Sequence, residues 1–278
     1  MLSSNRKGPL CIVLASLCWS FGGLGIKLIP WDAMSIIGLR SLLGAVVFAL
    51  FRGSVRIEFT KGNILAAVCL AGTTMLFVFA NKLTTAAAAI LLQFTAPIFI
   101  ILIHLVLYGQ KPKPSEAVAV SVTILGMLLF FADKLEPGNV LGNLLAIGSG
   151  LAFAGVFVFN KRPDTNPEHA LLLGFLINAV IGMPFVPFGV TANPVAWGAA
   201  AFLGIVQVGL AYVFFSMGIK KTSALLACLI TAMEPVLNPV WVFIVAREAP
   251  GPFAAAGGAV IFLTVLIYNI WVEKHAPI

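Results

Sequence analysis

Residues 222–247 read TSALLACLITAMEPVLNPVWVFIVAR, an apolar run long enough to cross a bilayer that carries a carboxylate, Glu234, followed by Pro235 and then Pro239. About 20 apolar residues span the hydrocarbon core. Glu234 stands near the middle of the run, where an ionised group is costly unless it faces protein, water or a partner. Each proline lacks an N–H and displaces the carbonyl four residues earlier, so Pro235 frees that of Thr231 and Pro239 that of Pro235. A membrane helix can build a polar site in this way. A packing kink beside a buried, protonated glutamate would leave the same string, and the rest of the chain has to separate the two readings.

A second stretch repeats the first. Residues 89–110 read AILLQFTAPIFIILIHLVLYGQ, and moving Pro97 onto Pro235, a shift of 138 positions, also pairs Thr84 with Thr222, Gln93 with Thr231 and Pro112 with Pro250. At the same shift Phe77 meets Phe215, Arg40 meets Asn178 and Gly44 meets Gly182, while a shift of 134 pairs Trp19 with Phe153 and Lys27 with Lys161. The chain reads as a tandem duplication, with one copy over 1–134 and the other over 139–273, joined by the hinge DKLEPGN at 133–139.

The class follows from composition. Of the 278 residues 60% are hydrophobic and 10% charged, with a mean hydropathy of +1.06, against roughly 25% charged in an average soluble domain. An all-α integral membrane protein is expected. The net charge of +7 would suggest a nucleic-acid partner in a soluble protein, but here the basic residues fill short loops between apolar runs, so none is expected. Cys11, Cys18, Cys69 and Cys228 fall inside apolar runs without metal spacing and read as small core residues. Neither a metal nor a cofactor is expected.

Ten spans are expected, near 9–29, 33–51, 63–80, 85–108, 115–131, 140–159, 170–190, 195–218, 222–246 and 253–271. The first has no cleavage-site pattern and is expected to remain attached. Two homologous halves of five spans each must enter the membrane in opposite directions, the inverted-repeat plan of secondary transporters, with the binding site at the midplane between repeats. Placing both termini in the cytoplasm gathers Arg6, Lys7, Arg52, Arg56, Lys61, Lys111, Lys113, Lys161, Arg162, Lys220, Lys221 and Lys274 there, against Lys27, Lys82, Lys134 and Arg247 outside. That asymmetry matches the positive-inside rule. Two readings are open for Arg40: snorkelling to the near interface, or pairing with an acid inside the bundle. Glycines 22, 23 and 25 either allow close helix packing or leave room for a ligand. His104, on one stripe with Gln93, Pro97 and Ile100, reads better as a bonded interfacial histidine than as a proton relay.

The order and duplication of these motifs resemble the EamA-type members of the drug/metabolite transporter superfamily. TAPIFIILIHLVLYGQ and MEPVLNPVWVFIVARE look like two copies of the family's last-but-one helix of a repeat, LASLCWSFGGLGIK like its first helix and GLRSLLGAVV like its second. The first repeat departs by ending in Gln110 where the pattern prefers an acid. The resemblance implies a ten-helix carrier of the plasma or inner membrane that moves small metabolites, often outward, through a cavity between the first, third, fourth, sixth, eighth and ninth helices.

Both lines of reading nominate Trp19, Phe77, Gln93, Asn160, Gln207, Tyr212, Thr231, Glu234, Asn238 and Trp241 as lining the cavity, Glu234 with Arg40 as the coupling charges and Pro97, Pro235 and Pro239 as kinks. Thr231, Glu234, Asn238 and Trp241 share a face at helical spacing, whereas Gln207 and Tyr212 do not share one, which favours packing roles for them. Helix packing is equally open for Trp19 and Trp241. Amides, hydroxyls and a carboxylate beside aromatic rings suit an amino acid, an amine or an aromatic metabolite, with a proton as one candidate coupling ion. Without a GxSG, HExxH or paired-aspartate pattern an intramembrane enzyme has no chemistry to run, and without GxxxxGK[ST] there is no ATP loop. The other class is a non-transporting membrane receptor or assembly module, which would need neither Glu234 nor the duplicated kinks.

Overall fold

The computed structural model describes residues 4–22, 25–26, 29–132, 139–237 and 251–275. The regular elements among them are helices: α1 (Ser4–Trp19), α2 (Ala33–Arg52), α3 (Lys61–Leu83), α4 (Ala86–Gln93), α5 (Ala96–Tyr108), α6 (Pro114–Phe130), α7 (Val140–Phe159), α8 (Pro167–Gly182), α9 (Pro194–Phe202), α10 (Ala211–Ile219), α11 (Ala224–Thr231) and α12 (Pro252–His275). A turn of 3-10 helix at Met183–Phe185 and the short helix Val186–Gly189 prolong α8, and a π-helical segment, Leu203–Leu210, joins α9 to α10.

Among the described residues seven helices are long and apolar enough to cross a membrane: Ala33–Arg52, Lys61–Leu83, Ala87–Tyr108, Val140–Phe159, Pro167–Gly189, Pro194–Ile219 and Pro252–Val272. The shorter apolar helices Lys7–Trp19, Pro114–Phe130 and Ala224–Leu237 overlap the other three expected stretches without reaching the length of a span. The first differs most from expectation: regular helix begins at Ser4 with Pro9 inside it and gives way to a turn at Ser20 and Phe21. Pro9, in the second turn, removes the bond to the carbonyl of Asn5. The stretch after Trp19 is rich in glycine, the weakest helix former after proline.

Side chains cap the helix starts where the chain leaves a turn. Asp32 Oδ1 accepts from Ser35 N at 2.9 Å, Thr60 from Asn63 N at 3.1 Å and Asn139 from Gly142 N at 3.1 Å, each satisfying an orphan N–H of a first turn. Gly53 and Gly109, with φ of 65° and 64°, close α2 and α5 in the left-handed region that favours glycine.

Exchanging the two halves maps the helix neighbours onto one another. α3 packs on α7 and, correspondingly, α10 on α1; α3 packs on α8 and the π segment on α2; α4 and α5 pack on α7 and α11 on α1. The pairs α2–α8, α6–α12 and α5–α11 map onto themselves. Two of these self-paired contacts are backbone to backbone. A β-carbon on Gly38 would fall on the backbone of Gly182 and the reverse, and one on Gly257 would meet the backbone of Phe130 and, at 2.6 Å, the Gly126 carbonyl. Small residues let membrane helices approach this closely, where lipid offers no hydrophobic drive to bring them together. Gly38→Ala is therefore expected to lower stability by about 1–3 kcal/mol, the usual cost of overpacking. Gly198→Ala, with open space around it, is the control and should be neutral or stabilising; thermal melts of purified protein in detergent read the difference.

Contacts between the halves tie both ends of the bundle. At one end Glu58 N donates to His169 Nδ1 at 2.9 Å, Thr60 Oγ1 to the Asp164 carbonyl at 2.6 Å and Gly62 N to Asp164 Oδ2 at 2.9 Å. Arg162, at 2.9 Å from Asp164, holds that carboxyl below its ordinary range. At the other end Trp31 Nε1 donates to Thr191 Oγ1 at 3.1 Å, and the Trp31 and Trp197 rings meet edge to face at 5.0 Å.

Candidate functional site

A narrow cavity of about 50 Å³ lies between the halves, lined by Trp19, Arg40, Thr73, Thr74, Phe77, Gln93, Phe153, Gln207, Val208, Tyr212 and Glu234. Away from the helix ends Arg40 and Glu234 are the charged side chains of the described helices, and both face this space. Its volume admits a few waters but falls well short of the ~300 Å³ at which pockets for metabolites begin.

Helix breaks open the polar face. α4 stops at Gln93, Phe94 and Thr95 form a turn, and α5 restarts with Pro97 near its N-terminus. In the second half α11 stops at Thr231, Ala232 makes the turn, and helix resumes through Glu234 and Pro235. The two breaks stand 138 positions apart, as do the capping residues Thr85 and Ser223, whose hydroxyls accept from Ala88 N at 3.1 Å and from Leu226 N at 3.2 Å. Discontinuous helices with polar groups at the break are how membrane carriers present backbone and side chain to a solute.

Of the residues nominated from sequence, the cavity brings together Trp19, Phe77, Gln93, Gln207, Tyr212 and Glu234, with Arg40. Gln93 Nε2 donates to Ser149 Oγ at 2.9 Å, which donates in turn to the Thr73 carbonyl at 3.0 Å. Trp19 packs edge to face on Tyr212 at 4.9 Å and lies 5.6 Å from Phe215, so its ring serves both as packing and as cavity wall. Tyr212 stands within electrostatic reach of Arg40 and Glu234.

Arg40 follows neither reading offered above. It is buried well inside α2 rather than snorkelling, and among the described ion pairs it joins no acid. Gln207 and Tyr212 share the cavity although an α-helix would set them on different faces. The π segment between them explains this, because its wider i→i+5 turn takes in one extra residue and so reduces the angle between Gln207 and Tyr212 about the helix axis.

Two nominated residues lie elsewhere. Asn160 caps the end of α7, its Nδ2 donating to the Val156 carbonyl at 2.7 Å, and it does not reach the cavity. Thr231 is fully buried with its hydroxyl turned back to the Cys228 carbonyl at 2.6 Å; the turn at Ala232 takes it out of phase with Glu234. Asn238, Pro239 and Trp241 lie outside the described residues. The carbonyl that Pro97 frees, that of Gln93, faces Gly150, where a β-carbon would approach to 2.7 Å, and so serves helix contact rather than the cavity. His104 is a bonded histidine, its Nδ1 lying 2.8 Å from the Ile100 carbonyl.

Residues 6–132 and 140–270 each match the EamA-like transporter family. The chain belongs to that family. It is thus a multi-pass membrane transporter of the drug/metabolite transporter superfamily. Among EamA-like relatives, an uncharacterized transporter of Archaeoglobus fulgidus is 25% identical over 285 residues, covering 95% of this chain and 97% of the relative. The threonine/homoserine exporter RhtA of Escherichia coli K12 is 26% identical over 290 residues, covering 97% of this chain and 94% of RhtA. A solved crystal structure superposes with a TM-score of 0.80 over 98% of this chain and 99% of its own, at 20% identity, which establishes a shared fold.

Sequence reading missed four lining residues of this EamA-like chain: Thr73, Thr74, Phe153 and Val208. Phe153 was within reach, since it is the repeat partner of Trp19. Thr73 and Thr74 were legible too, one helical turn before Phe77 on α3. Val208 is brought in by the π segment, for which the sequence carries no marker.

Proposed function

We propose that this chain is a secondary transporter, working as an exporter, of small metabolites such as amino acids, amines or aromatic compounds. It comprises ten transmembrane helices in two inverted repeats of five, 1–134 and 139–273, with both termini cytoplasmic. The cavity between the repeats opens alternately to either side as the halves rock about it. The observation that carries this reading is the pair of broken helices, 138 positions apart, that bring Gln93 and Glu234 to one cavity between halves whose helix neighbours interchange. Three further points support it: the loop charges favour termini inside, RhtA is named a threonine/homoserine exporter, and the cavity mixes carboxylate, guanidinium and amide with aromatic rings. Glu234 is the coupling group. It binds a cationic group of the solute in one phase of the cycle and exchanges it for a proton in another.

Proteoliposomes test this. Radiolabelled amino acids, amines and aromatic metabolites are offered with an imposed pH gradient, and at least one should accumulate above its external concentration until an ionophore collapses the gradient. Saturable binding without accumulation for all three classes would establish a receptor or assembly module instead.

A further inference from the structure

The cavity has a polarity that the duplication alone would not produce. Arg40 comes from the first half, and its repeat counterpart is the neutral Asn178; Glu234 comes from the second half, and its counterpart at the same shift of 138 is Ala96. One cation and one acid, each without a twin, therefore face the same space.

Arg40 is only 5% exposed, yet its Nε and Nη1 meet no acceptor among the described residues. A guanidinium remains charged at every physiological pH, so it cannot relieve its burial by releasing a proton as a lysine or histidine can. A buried charge without a partner is among the costliest arrangements a protein holds. In a membrane such charges mark substrate pathways. An anion is the partner that would neutralise it, and the planar fork of arginine suits the two oxygens of a carboxylate.

We propose that Arg40 receives the carboxylate of the transported solute while Glu234 receives its ammonium, so that the solute is an α-amino acid held as a zwitterion across the cavity. This rests on the transporter reading and narrows its solute class. An amine alone would leave Arg40 unpaired, and a phosphate dianion would meet the Glu234 carboxylate. A zwitterion neutralises both walls, and the complex can pass through the occluded state without a net buried charge. Trp19 and Phe77 then face the side chain.

The test uses the full-length chain in nanodiscs and follows thermal unfolding, since a ligand that binds only the folded state raises apparent stability by mass action. The probes are the L-amino acids, their methyl esters and the matching decarboxylated amines. At least one amino acid should bind about tenfold or more tightly than both its ester and its amine, because a site built for a polar group rejects the analogue lacking it. In Arg40→Gln that preference should shrink to roughly twofold or less, with Arg40→Lys between the two, since it keeps the charge and loses the fork. An ester or amine binding the parent as well as the acid, no amino acid binding at all, or a preference that survives in Arg40→Gln would each overturn the proposal. If Arg40→Gln does not fold, the ester comparison on the parent and the Arg40→Lys variant still decide. Accumulation of amines or aromatic compounds in proteoliposomes, with no preference for amino acids over their esters, would leave the transporter reading standing and remove Arg40 from solute binding.

Discussion

Glu234→Gln should retain the fold and lose gradient-driven accumulation, with the transport rate falling roughly 30-fold to a few thousandfold. The figure follows from the about 2–5 kcal/mol lost when one partner of a buried charge pair is truncated, at about 1.4 kcal/mol per factor of ten. Glutamine keeps the shape of the side chain, and the surrounding packing, from Pro235 to the aromatic wall at Trp19 and Tyr212, asks nothing of the charge. What it removes is a group that can be either ionised or neutral. A solute can shift the equilibrium between inward and outward states only as far as its affinities for the two differ, and an amide that binds a cation weakly in both states supplies little difference. Parental transport should therefore vary with pH, through competition between proton and solute at Glu234, and the variant's residual transport should not. Size-exclusion profiles and thermal melts establish that the variant is folded. Parental transport in Glu234→Gln with an unchanged pH profile would make the carboxylate a structural acid, leaving solute selection to Gln93, Gln207 and Tyr212.

Much of the architecture was legible because it is written in strong, local signals. Apolar runs and prolines 138 positions apart each have one dominant physical cause, and the helix breaks at Phe94–Thr95 and Ala232 fall where Pro97 and Pro235 point. Features that depend on rotation about a helix axis were harder to read. Whether Arg40 snorkels or faces the interior is decided by which side of α2 meets α8, and the Gly38–Gly182 crossing that sets this involves two glycines among 26 in the chain. Thr231 was assigned to the Glu234 face on the assumption of continuous helix, yet the break that Pro235 induces also ends that continuity. Asn160 was nominated as a cavity-lining residue, but helix ends need polar caps as much as cavities need polar walls, and spacing alone does not separate the two.

The π segment offers a sharper test of the site than any single side-chain replacement. An α-helix that accommodates one extra residue without moving its ends forms a π turn, so removing one residue from Leu203–Leu210 should restore α-helix while α9 and α10 keep their seats. Where the residue is removed then matters. Ile205 and Leu210 both face outward, 46% and 39% exposed, and neither lines the cavity. Deleting Leu210 leaves Gln207 and Tyr212 four apart, on one face of an α-helix, and transport should stay within a few-fold of parental. Deleting Ile205 leaves them five apart in α-helix and swings Gln207 by about 100°, one residue's rotation at 3.6 residues per turn, out of the cavity and away from Gly22, against which its amide now packs. A polar group lost from a buried site costs about 1–3 kcal/mol, so transport should fall roughly 5- to 150-fold, matching the loss in Gln207→Leu. Equal rates for the two deletions would show that the π turn relieves packing strain in this span and does not aim Gln207 at the solute.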